Sequence, residues 1–346
     1  MKRLFPFSFI LILASIACQT VLPKTPLETE MPIATETVST VTSTNTPRPT
    51  PIPIICPDDT CLEACLTRIN ATLETHQFES LGGEYAGTSA NLNLVVYKVK
   101  DGELGEPDTL YVPEEFKPFQ EDFQAHELVW KYASSLLPPE QLGLITEYDV
   151  FTDGSSNVLA WVNIRNDLDR SRWQLGVDIA DAENPVGLTY TLIHEFGHLI
   201  SLNSDQIPQA DFYYSWNQNP ATCPQFTSPE GCSRPDSYIN LFYQKFWADI
   251  FEEWRETVEK PNTNSDEEFY ALVTDFYSKH EQLFVREYAA TNIHEDIAES
   301  FMNFVIEPKP TGKDIVDQKI LYFYDFPELV AMRQKMIQSV CSYIQE

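Results

Sequence analysis

The run PVGLTYTLIHEFGHLISL, residues 185–202, carries the most informative pattern in this 346-residue chain. Its apolar residues recur at helical spacing, which predicts a helix that is buried on most sides. Because residues four apart lie on one face of a helix, His194 and His198 can present their imidazoles to a single metal ion. Glu195 projects about 100° around the helix from His194, where it can accept a proton from a water beside that ion.

This histidine pair is unlikely to arise by chance, since the chain contains only six histidines. Roughly one chain in a hundred of this composition should contain such an arrangement at random. The alternative interpretation is a pair of core histidines satisfied by hydrogen bonds. The apolar neighbours favour a cation instead, because imidazoles buried among them need a partner. These neighbours are Leu192, Ile193, Phe196, Leu199 and Ile200.

A third metal ligand is expected from a second acidic motif farther along the chain. Catalytic zinc takes three protein ligands and leaves the fourth position open. A metzincin-like continuation is excluded because Ser201 and Ser204 stand where glycine and histidine would be needed. Glu295 and Glu299 lie four apart in a predicted helix, so one can bind the metal while the other accepts a hydrogen bond from a ligand histidine. A solvated acidic helix face is the alternative.

The two motifs together resemble those of gluzincin metallopeptidases, the class that contains thermolysin-like and neprilysin-like enzymes. The run YAATNIHEDIAE, residues 288–299, is similar to the second motif of proteins related to the catalytic domain of anthrax-toxin lethal factor. The resemblance covers residues 188–202 and 285–304. It implies a zincin-like fold with one zinc ion on His194, His198 and Glu295, Glu195 as general base, Tyr288 as oxyanion donor, and Glu299 as partner of a ligand histidine.

The expected function is therefore that of a zinc-dependent peptidase acting on a peptide or protein substrate. The alternative is a non-catalytic zinc-binding surface lipoprotein that serves as a binding or adhesion module. No group essential to catalysis is missing from the motifs, which argues against that alternative. The segment 203–287 between the motifs is longer than the resemblance leads us to expect, and it can cover the cleft or reshape its specificity.

The first residues have the layout of a targeting segment. Lys2 and Arg3 precede fourteen residues without a charge, which is too short for a comfortable membrane span and typical of a signal peptide over residues 1–17. A small residue before Cys18 resembles a bacterial lipobox, although Ser15 stands where leucine is usual. We expect Cys18 to carry lipid and to anchor the protein outside the cell membrane, on its extracellular or periplasmic face; ordinary secretion is the alternative.

Residues 18–55 are expected to form a tether, and residues 56–346 one folded catalytic domain. The segment 19–55 contains ten Thr and seven Pro and no aromatic residue, so it has little to bury. The remaining cysteines are even in number, as disulfide pairing requires. Cys223 and Cys232 are expected to pair locally. Cys56, Cys61, Cys65 and Cys341 allow several pairings, one of which would join the chain ends, or alternatively a zinc site.

The order of the predicted elements indicates an α+β fold with two lobes, divided at about residue 202. Alternating patterns predict strands, and residues after 185 are almost wholly helical. We expect a small mixed or antiparallel sheet with the active-site helix, followed by a mostly helical C-terminal lobe. The strand near Trp173–Ile179 is a candidate edge for pairing with an extended peptide. Predicted strands are 92–99, 145–151, 158–164 and 173–179; predicted helices are 59–75, 116–137, 185–202, 236–258, 266–287, 295–305 and 327–343.

The charge of the chain argues against one class of partner. Asp and Glu number 52 against 23 Lys and Arg, which gives a formal net charge of −29. Such a chain repels the phosphate backbone, so nucleic-acid binding is not expected. A dispersed acidic surface favours solubility, and no particular partner follows from it.

Overall fold

A computed structural model describes residues 60–61, 63–65, 67–68, 92–153, 158–166, 169–182, 185–208 and 223–343. The predicted signal peptide, Cys18, the tether and Cys56 lie outside the described residues. The predicted helix over 59–75 is described only in part, and its described residues between Thr60 and Arg68 are helical. Among the described residues, no helix combines the length and apolar character needed to cross a membrane.

A five-stranded mixed sheet forms one layer of the fold, in the order β2-β1-β3-β5-β4. Strands β3 and β5 pair in parallel, and the other neighbours are antiparallel. The prediction that the strand near Trp173–Ile179 forms an edge was wrong, because β5 lies between β3 and β4. The five strands are β1 (Leu92–Lys100), β2 (Glu103–Thr109), β3 (Ile145–Thr152), β4 (Ala160–Asn166) and β5 (Asp169–Asp178).

The outer strand β4 presents alternate backbone groups to the open side of the sheet. The Leu159 carbonyl accepts a hydrogen bond from the Asp178 N–H, so it faces β5. Because backbone groups of successive strand residues point in opposite directions, those of Val162 face away from β5. Strand β2 forms the other edge; its sequence ELGEPDT is almost wholly exposed and carries no alternating apolar pattern, which is why it was not predicted.

Helices dominate the chain after the sheet, as predicted. They are α1 (Lys117–Gln120), α2 (Phe123–Leu136), α3 (Pro139–Leu142), α4 (Pro185–Leu202), α5 (Tyr238–Phe242), α6 (Phe251–Trp254), α7 (Asp266–His280), α8 (Ile293–Ile306), α9 (Ile315–Tyr322) and α10 (Pro327–Tyr343). A two-stranded hairpin of β6 (Thr227–Ser228) and β7 (Gly231–Cys232) lies between α4 and α5. The fold is therefore of the mixed α+β class.

Three predicted helices have different bounds in the structure. The helix predicted from residue 116 begins at Phe123, because the Asp122 carboxylate accepts a hydrogen bond from Ala125 N–H and caps it. The helix predicted over 236–258 is divided into α5, α6 and the π-helical turns Tyr243–Trp247 and Arg255–Glu259. Each of these turns is wider than an α-helical turn and interrupts the regular α-helical repeat. The helix predicted to 287 ends at His280, where the chain tightens into a 3₁₀ turn.

The two motif helices α4 and α8 pack directly against each other. A Cβ atom added to Gly197 would lie 2.9 Å from the Ala298 Cα, so glycine at this position permits close approach of the two helices. Phe196, Ile293 and Ile297 are buried around this contact. Close packing of α4 on α8 brings the HEFGH motif and the second acidic motif together.

Two disulfide bonds join described cysteines. Cys223 and Cys232 pair across the hairpin with a Cα separation of 5.7 Å, as predicted. Cys65 and Cys341 pair with a Cα separation of 6.0 Å, the bond that joins the two ends of the folded body. Cys61 is also disulfide-bonded. The alternative zinc site on Cys56, Cys61, Cys65 and Cys341 is wrong for this structure, because sulfurs in a disulfide are not available as thiolate ligands.

Candidate metal centre

Three predicted ligand atoms converge between α4 and α8. His194 Nε2 lies 3.1 Å from His198 Nε2 and 3.1 Å from Glu295 Oε2. His198 Nε2 lies 3.3 Å from the same Glu295 oxygen, which closes a nearly equilateral triangle. All three side chains are buried or nearly so. The helical repeat of α4 aligns the two imidazoles, and α8 brings the carboxylate from almost a hundred residues away.

The size of this triangle fits a small tetrahedral cation. A cation about 2.0–2.1 Å from each ligand atom, in tetrahedral geometry, requires ligand atoms about 3.3–3.4 Å apart. The observed separations of 3.1–3.3 Å are close to that value. His194, His198 and Glu295 form one of two groups of described residues with the arrangement of a metal site. Their donor set of two imidazole nitrogens and one carboxylate oxygen suits a transition metal of borderline softness.

Glu195 lies beside this triangle, and its two carboxylate oxygens differ in their hydrogen bonding. Its Oε2 accepts a 2.9 Å hydrogen bond from Val162 N–H on the outer strand β4. Its Oε1 is buried and has no hydrogen-bond partner among the described residues. A buried acceptor without a partner is costly, so Oε1 is the atom ready to receive a proton from a bound molecule. The resulting arrangement is the one expected of a general base.

Glu299 holds the far side of the His194 ring. Glu299 Oε1 lies 2.8 Å from His194 Nδ1, so the imidazole can donate there while Nε2 faces the triangle. The Arg286 guanidinium donates to both oxygens of the same carboxylate. Such support fixes the orientation and tautomer of a ligand histidine. Arg286 was not predicted, because nothing in the local sequence spacing connects it with Glu299.

Tyr288 lies next to the ligand triangle, in the 3₁₀ turn Glu287–Ala290 just before α8. Its ring centroid is 5.9 Å from that of His194, and its side chain is half-buried. Burial and the nearby charge of Glu295 raise the pKa of the Tyr288 hydroxyl well above its usual range. The hydroxyl therefore keeps its proton and is available as a hydrogen-bond donor.

The charged groups of the centre shift one another's protonation. Burial lowers the pKa of His194, but hydrogen bonds to Glu295 and Glu299 outweigh burial and raise that pKa to about 10. Burial raises the pKa of Glu295, but His198 and His194 outweigh it and hold the Glu295 pKa well below its usual range. For Glu195 burial prevails over the two histidines, so its pKa is raised. The Glu295 carboxylate is thus kept ionised, and the Glu195 carboxylate is made more basic.

A small cleft opens onto the centre. Glu195, His198 and Glu295 form its floor together with walls from β4, β5, α4 and the hairpin. His294 is buried, and its Nε2 lies 3.5 Å from Glu230 Oε2 in the wall of this cleft. Glu230 was not predicted as a site residue. The only sequence signal is its place inside the loop closed by Cys223 and Cys232.

A second group of carboxylates, also not predicted, lies at the ends of β3 and β5. Oxygens of Asp153, Asp178 and Asp181 all lie within 4.8 Å of one another. The two Asp178 oxygens accept 2.8 Å hydrogen bonds from the N–H groups of Asp153 and Ala180. Burial, followed by repulsion from Asp153, raises the pKa of Asp181 to about 6. The parallel pairing of β3 with β5 brings these aspartates together, and spacing along the chain does not reveal it.

Comparisons with known proteins identify no relative: no protein-family model, no curated protein and no solved structure matches the chain.

Proposed function

We propose that this protein is a zinc-dependent peptidase of gluzincin type with a zincin-like fold. The observation that carries the proposal is the triangle of His194 Nε2, His198 Nε2 and Glu295 Oε2, with separations of 3.1–3.3 Å. Two imidazoles and one carboxylate are the protein ligands of one class of catalytic zinc site, which leaves the fourth position for water or substrate. The open Oε1 of Glu195 beside the triangle favours catalysis over a purely structural metal site.

The chain's own groups support a hydrolytic mechanism. One zinc ion on the three ligands would act as a Lewis acid toward the scissile carbonyl and would lower the pKa of water. Glu195, held by Val162 N–H, accepts the proton of the attacking water through its Oε1 and later delivers it to the leaving amine. The Tyr288 hydroxyl donates a hydrogen bond to the developing oxyanion. Glu299 and Arg286 keep the His194 ring in place.

The outer strand β4 is the proposed platform for the substrate backbone. Val162 and Ile164 both line the cleft, and β4 is an edge of the sheet. An extended peptide can add to such an edge through main-chain hydrogen bonds. The scissile bond would then lie between β4 and the floor formed by Glu195 and Glu295. This placement replaces the earlier expectation for the strand near Trp173–Ile179.

Cleavage of a quenched fluorescent peptide library by the full chain tests the proposal. We expect turnover that a chelator abolishes and added zinc restores. Glu195→Gln should lower kcat by about 10²–10⁴-fold with close to one equivalent of zinc retained, because it removes the base and spares the ligands. Glu295→Ala should lose the metal as well. A zinc-loaded wild-type protein without turnover, or a Glu195→Gln variant with full turnover, would contradict the proposal.

We also propose that the enzyme is a lipoprotein held outside the cell membrane by a lipid on Cys18. The support is the arrangement of Lys2, Arg3 and the following uncharged segment before that cysteine. Fractionation of cells that express the Cys18→Ser variant tests the anchor. Release of this variant from the membrane fraction is expected, and its retention there would contradict lipid attachment.

A further inference from the structure

A buried ion pair lies directly behind the candidate metal centre. Lys319 of α9 and Asp296 of α8 are both fully buried, and the Lys319 ammonium donates a hydrogen bond to Asp296 Oδ2. Asp296 directly follows Glu295, the expected carboxylate ligand, in the chain. The fold keeps these two charges out of water, although the desolvation of each ion is costly.

Further hydrogen bonds complete the surroundings of the pair. Trp247 Nε1 donates to Asp296 Oδ2 at 2.7 Å, so this one oxygen accepts from two donors. The Lys319 ammonium also donates to the Leu283 carbonyl at 2.6 Å and lies 4.5 Å from the centroid of the Phe284 ring. The pair therefore joins α8, α9, the π-helical turn that ends at Trp247 and the 3₁₀ turn that ends at Leu283.

Stability alone does not explain this pair. Replacement of a buried ion pair by apolar residues of similar volume is often neutral or stabilising. Apolar residues do not supply direction, because contacts between them tolerate sliding and rotation. A hydrogen bond, in contrast, weakens steeply away from its preferred angle. The pair therefore suits a position where the rotation of a helix has to be resisted.

Rotation of α8 about its axis would displace the ligand that this helix carries. The ends of side chains lie about 5 Å from a helix axis, so a rotation of about 10° moves them by about 0.9 Å. Metal–ligand distances tolerate deviations of only about 0.2 Å. Asp296 projects about 100° around α8 from Glu295. Hydrogen bonds that hold the Asp296 carboxylate therefore also fix the position of the Glu295 carboxylate.

The first turn of α8 is held along the helix axis as well. Asn292 Oδ1 accepts hydrogen bonds from the N–H groups of His294, at 2.8 Å, and Glu295, at 3.1 Å. Trp254 Nε1 donates at 3.0 Å to the carbonyl of Thr291, one residue before this cap. The turn that carries the carboxylate ligand is thus fixed in position by its cap and in rotation by the ion pair.

Lys319 also contacts the segment that supports a histidine ligand. The Leu283 carbonyl, which accepts from Lys319, lies three residues before Arg286 in the chain. The Arg286 guanidinium binds Glu299, whose carboxylate faces His194 Nδ1. One ammonium group therefore joins the neighbour of the carboxylate ligand to the segment that leads to the support of a histidine ligand.

We propose that Lys319 is a positioning residue for the metal centre, which acts through Asp296 to fix the rotation of α8 that brings Glu295 to the ligand triangle. The proposal rests on the metal site of the proposed function, and it depends neither on the substrate nor on turnover. It gives a role in metal affinity to a residue that lies outside both sequence motifs.

Metal binding by the full chain tests this proposal without a substrate. The test variant combines Lys319→Met with Asp296→Asn, which removes both charges, keeps similar side-chain volumes and leaves an amide oxygen to accept from Trp247. Competition with a chromophoric chelator measures zinc affinity, and the visible absorption of Co²⁺ bound in place of zinc reports the geometry of the site. We expect zinc affinity to fall about 10–100-fold, as when groups that orient metal ligands are removed, and the Co²⁺ spectrum to change.

Arg333→Met is the matched control. Arg333 is a half-buried cation that donates to the carbonyls of Phe304 and Glu307, at the opposite end of α8 from Glu295. Its loss should lower the free energy of unfolding and leave zinc affinity and the Co²⁺ spectrum unchanged. A merely structural role of Lys319 would give this same result for the double variant, so the two roles are distinguished by metal binding.

The outcomes separate this inference from the peptidase function. Unchanged zinc affinity and an unchanged Co²⁺ spectrum in the folded double variant would overturn the proposal and leave the peptidase function in place. A wild-type chain that binds neither metal at this site would remove both. If circular dichroism shows that the double variant is unfolded, Trp247→Phe replaces it, because this change removes one donor to Asp296 and keeps the ion pair. A smaller loss of zinc affinity is then expected, and its absence would overturn the proposal.

Discussion

Among the single residues of the site, Tyr288 lies next to the ligand triangle and carries a hydroxyl that can donate a hydrogen bond. Burial and then the charge of Glu295 raise the pKa of the hydroxyl, so it remains a donor across the working range of pH. We expect Tyr288→Phe to lower kcat by about 10–10³-fold with little change in KM, because the lost hydrogen bond forms mainly in the transition state. Steady-state kinetics on a cleaved library peptide measures both constants.

Tyr270→Phe is the matched control for that change. Tyr270 is another tyrosine whose pKa is raised, first by burial and then by Glu295. Its removal should leave kcat within a fewfold of the wild-type value. A Tyr288→Phe variant that raises KM and leaves kcat unchanged would assign the hydroxyl to ground-state binding rather than to the oxyanion.

Asp181 makes stability depend on pH in a direction opposite to that of most surface carboxylates. Its folded-state pKa of about 6 lies above the ordinary aspartate value of about 3.9. The folded state therefore binds the proton more tightly, and the contribution of Asp181 to stability is fully present below about pH 4 and is lost as pH rises through 6. Asp181→Asn should recover up to about 2 kcal/mol of unfolding free energy at pH 7.5 and almost none at pH 4.

Urea unfolding at the two pH values, with a chelator present, measures this difference. The chelator matters because a cation held by Asp153, Asp178 and Asp181 would reverse the trend. Asp108→Asn on the exposed strand β2 provides the comparison, since it changes an aspartate outside the cluster. Identical pH dependence of Asp181→Asn and wild type would show that the cluster is not electrostatically strained.

At the scale of elements, the contact between α4 and α8 determines the ligand geometry. We expect Gly197→Ala to destabilise the protein by about 1–3 kcal/mol and to weaken metal binding, because its new Cβ would lie 2.9 Å from a backbone atom of Ala298. Backbone cannot yield as a flexible side chain can, so the helices must move apart and enlarge the ligand triangle. Denaturant unfolding and competition with a chromophoric chelator measure the two effects.

Gly143→Ala serves as the control for this substitution. Gly143 has ordinary right-handed backbone angles, and a Cβ there would meet its nearest neighbour at 3.4 Å. We expect a change within about 1 kcal/mol and unaltered metal affinity. If Gly197→Ala bound metal as well as Gly143→Ala, the close approach of α4 and α8 would not be what positions Glu295.

The elements also show how far the sequence could predict this molecule. Helices 185–202 and 327–343 have the predicted bounds, because their apolar periodicity and flanking residues are local signals. The convergence of His194, His198 and Glu295 was predicted from spacing and a resemblance. The positions of Arg286 and Glu230 at the site were not predicted. Their partners lie 13 and 64 positions away, and the spacing of residues along the chain does not indicate such contacts. Strand β2 was missed because it is exposed on both faces.

On the scale of the whole molecule, the two described disulfides close loops of very different length. Cys65 and Cys341 are 276 positions apart, and Cys223 and Cys232 are 9 apart. In the chain-entropy account, the longer loop removes more freedom from the unfolded chain, about 5 kcal/mol against about 3 kcal/mol or less. We therefore expect Cys65→Ser with Cys341→Ser to lower the midpoint of thermal unfolding more than Cys223→Ser with Cys232→Ser.

Calorimetry of the two double variants measures this difference in the midpoint of thermal unfolding. Equal destabilisation by both double variants would mean that structure in the unfolded chain, rather than loop length, governs their contributions.

The Cys65–Cys341 bond has a mechanical consequence for a protein held at one end. Tension applied from the N-terminal side reaches Cys65 before it reaches β1, and the covalent link passes part of it to α10. That helix lies against α2, where the Ser339 hydroxyl donates to the Ser135 carbonyl, and also contacts α8. If the chain is anchored at Cys18 as proposed, a pull from that side would be shared among several helices before it reaches β1, and the sheet beside the candidate metal centre would be shielded from shear.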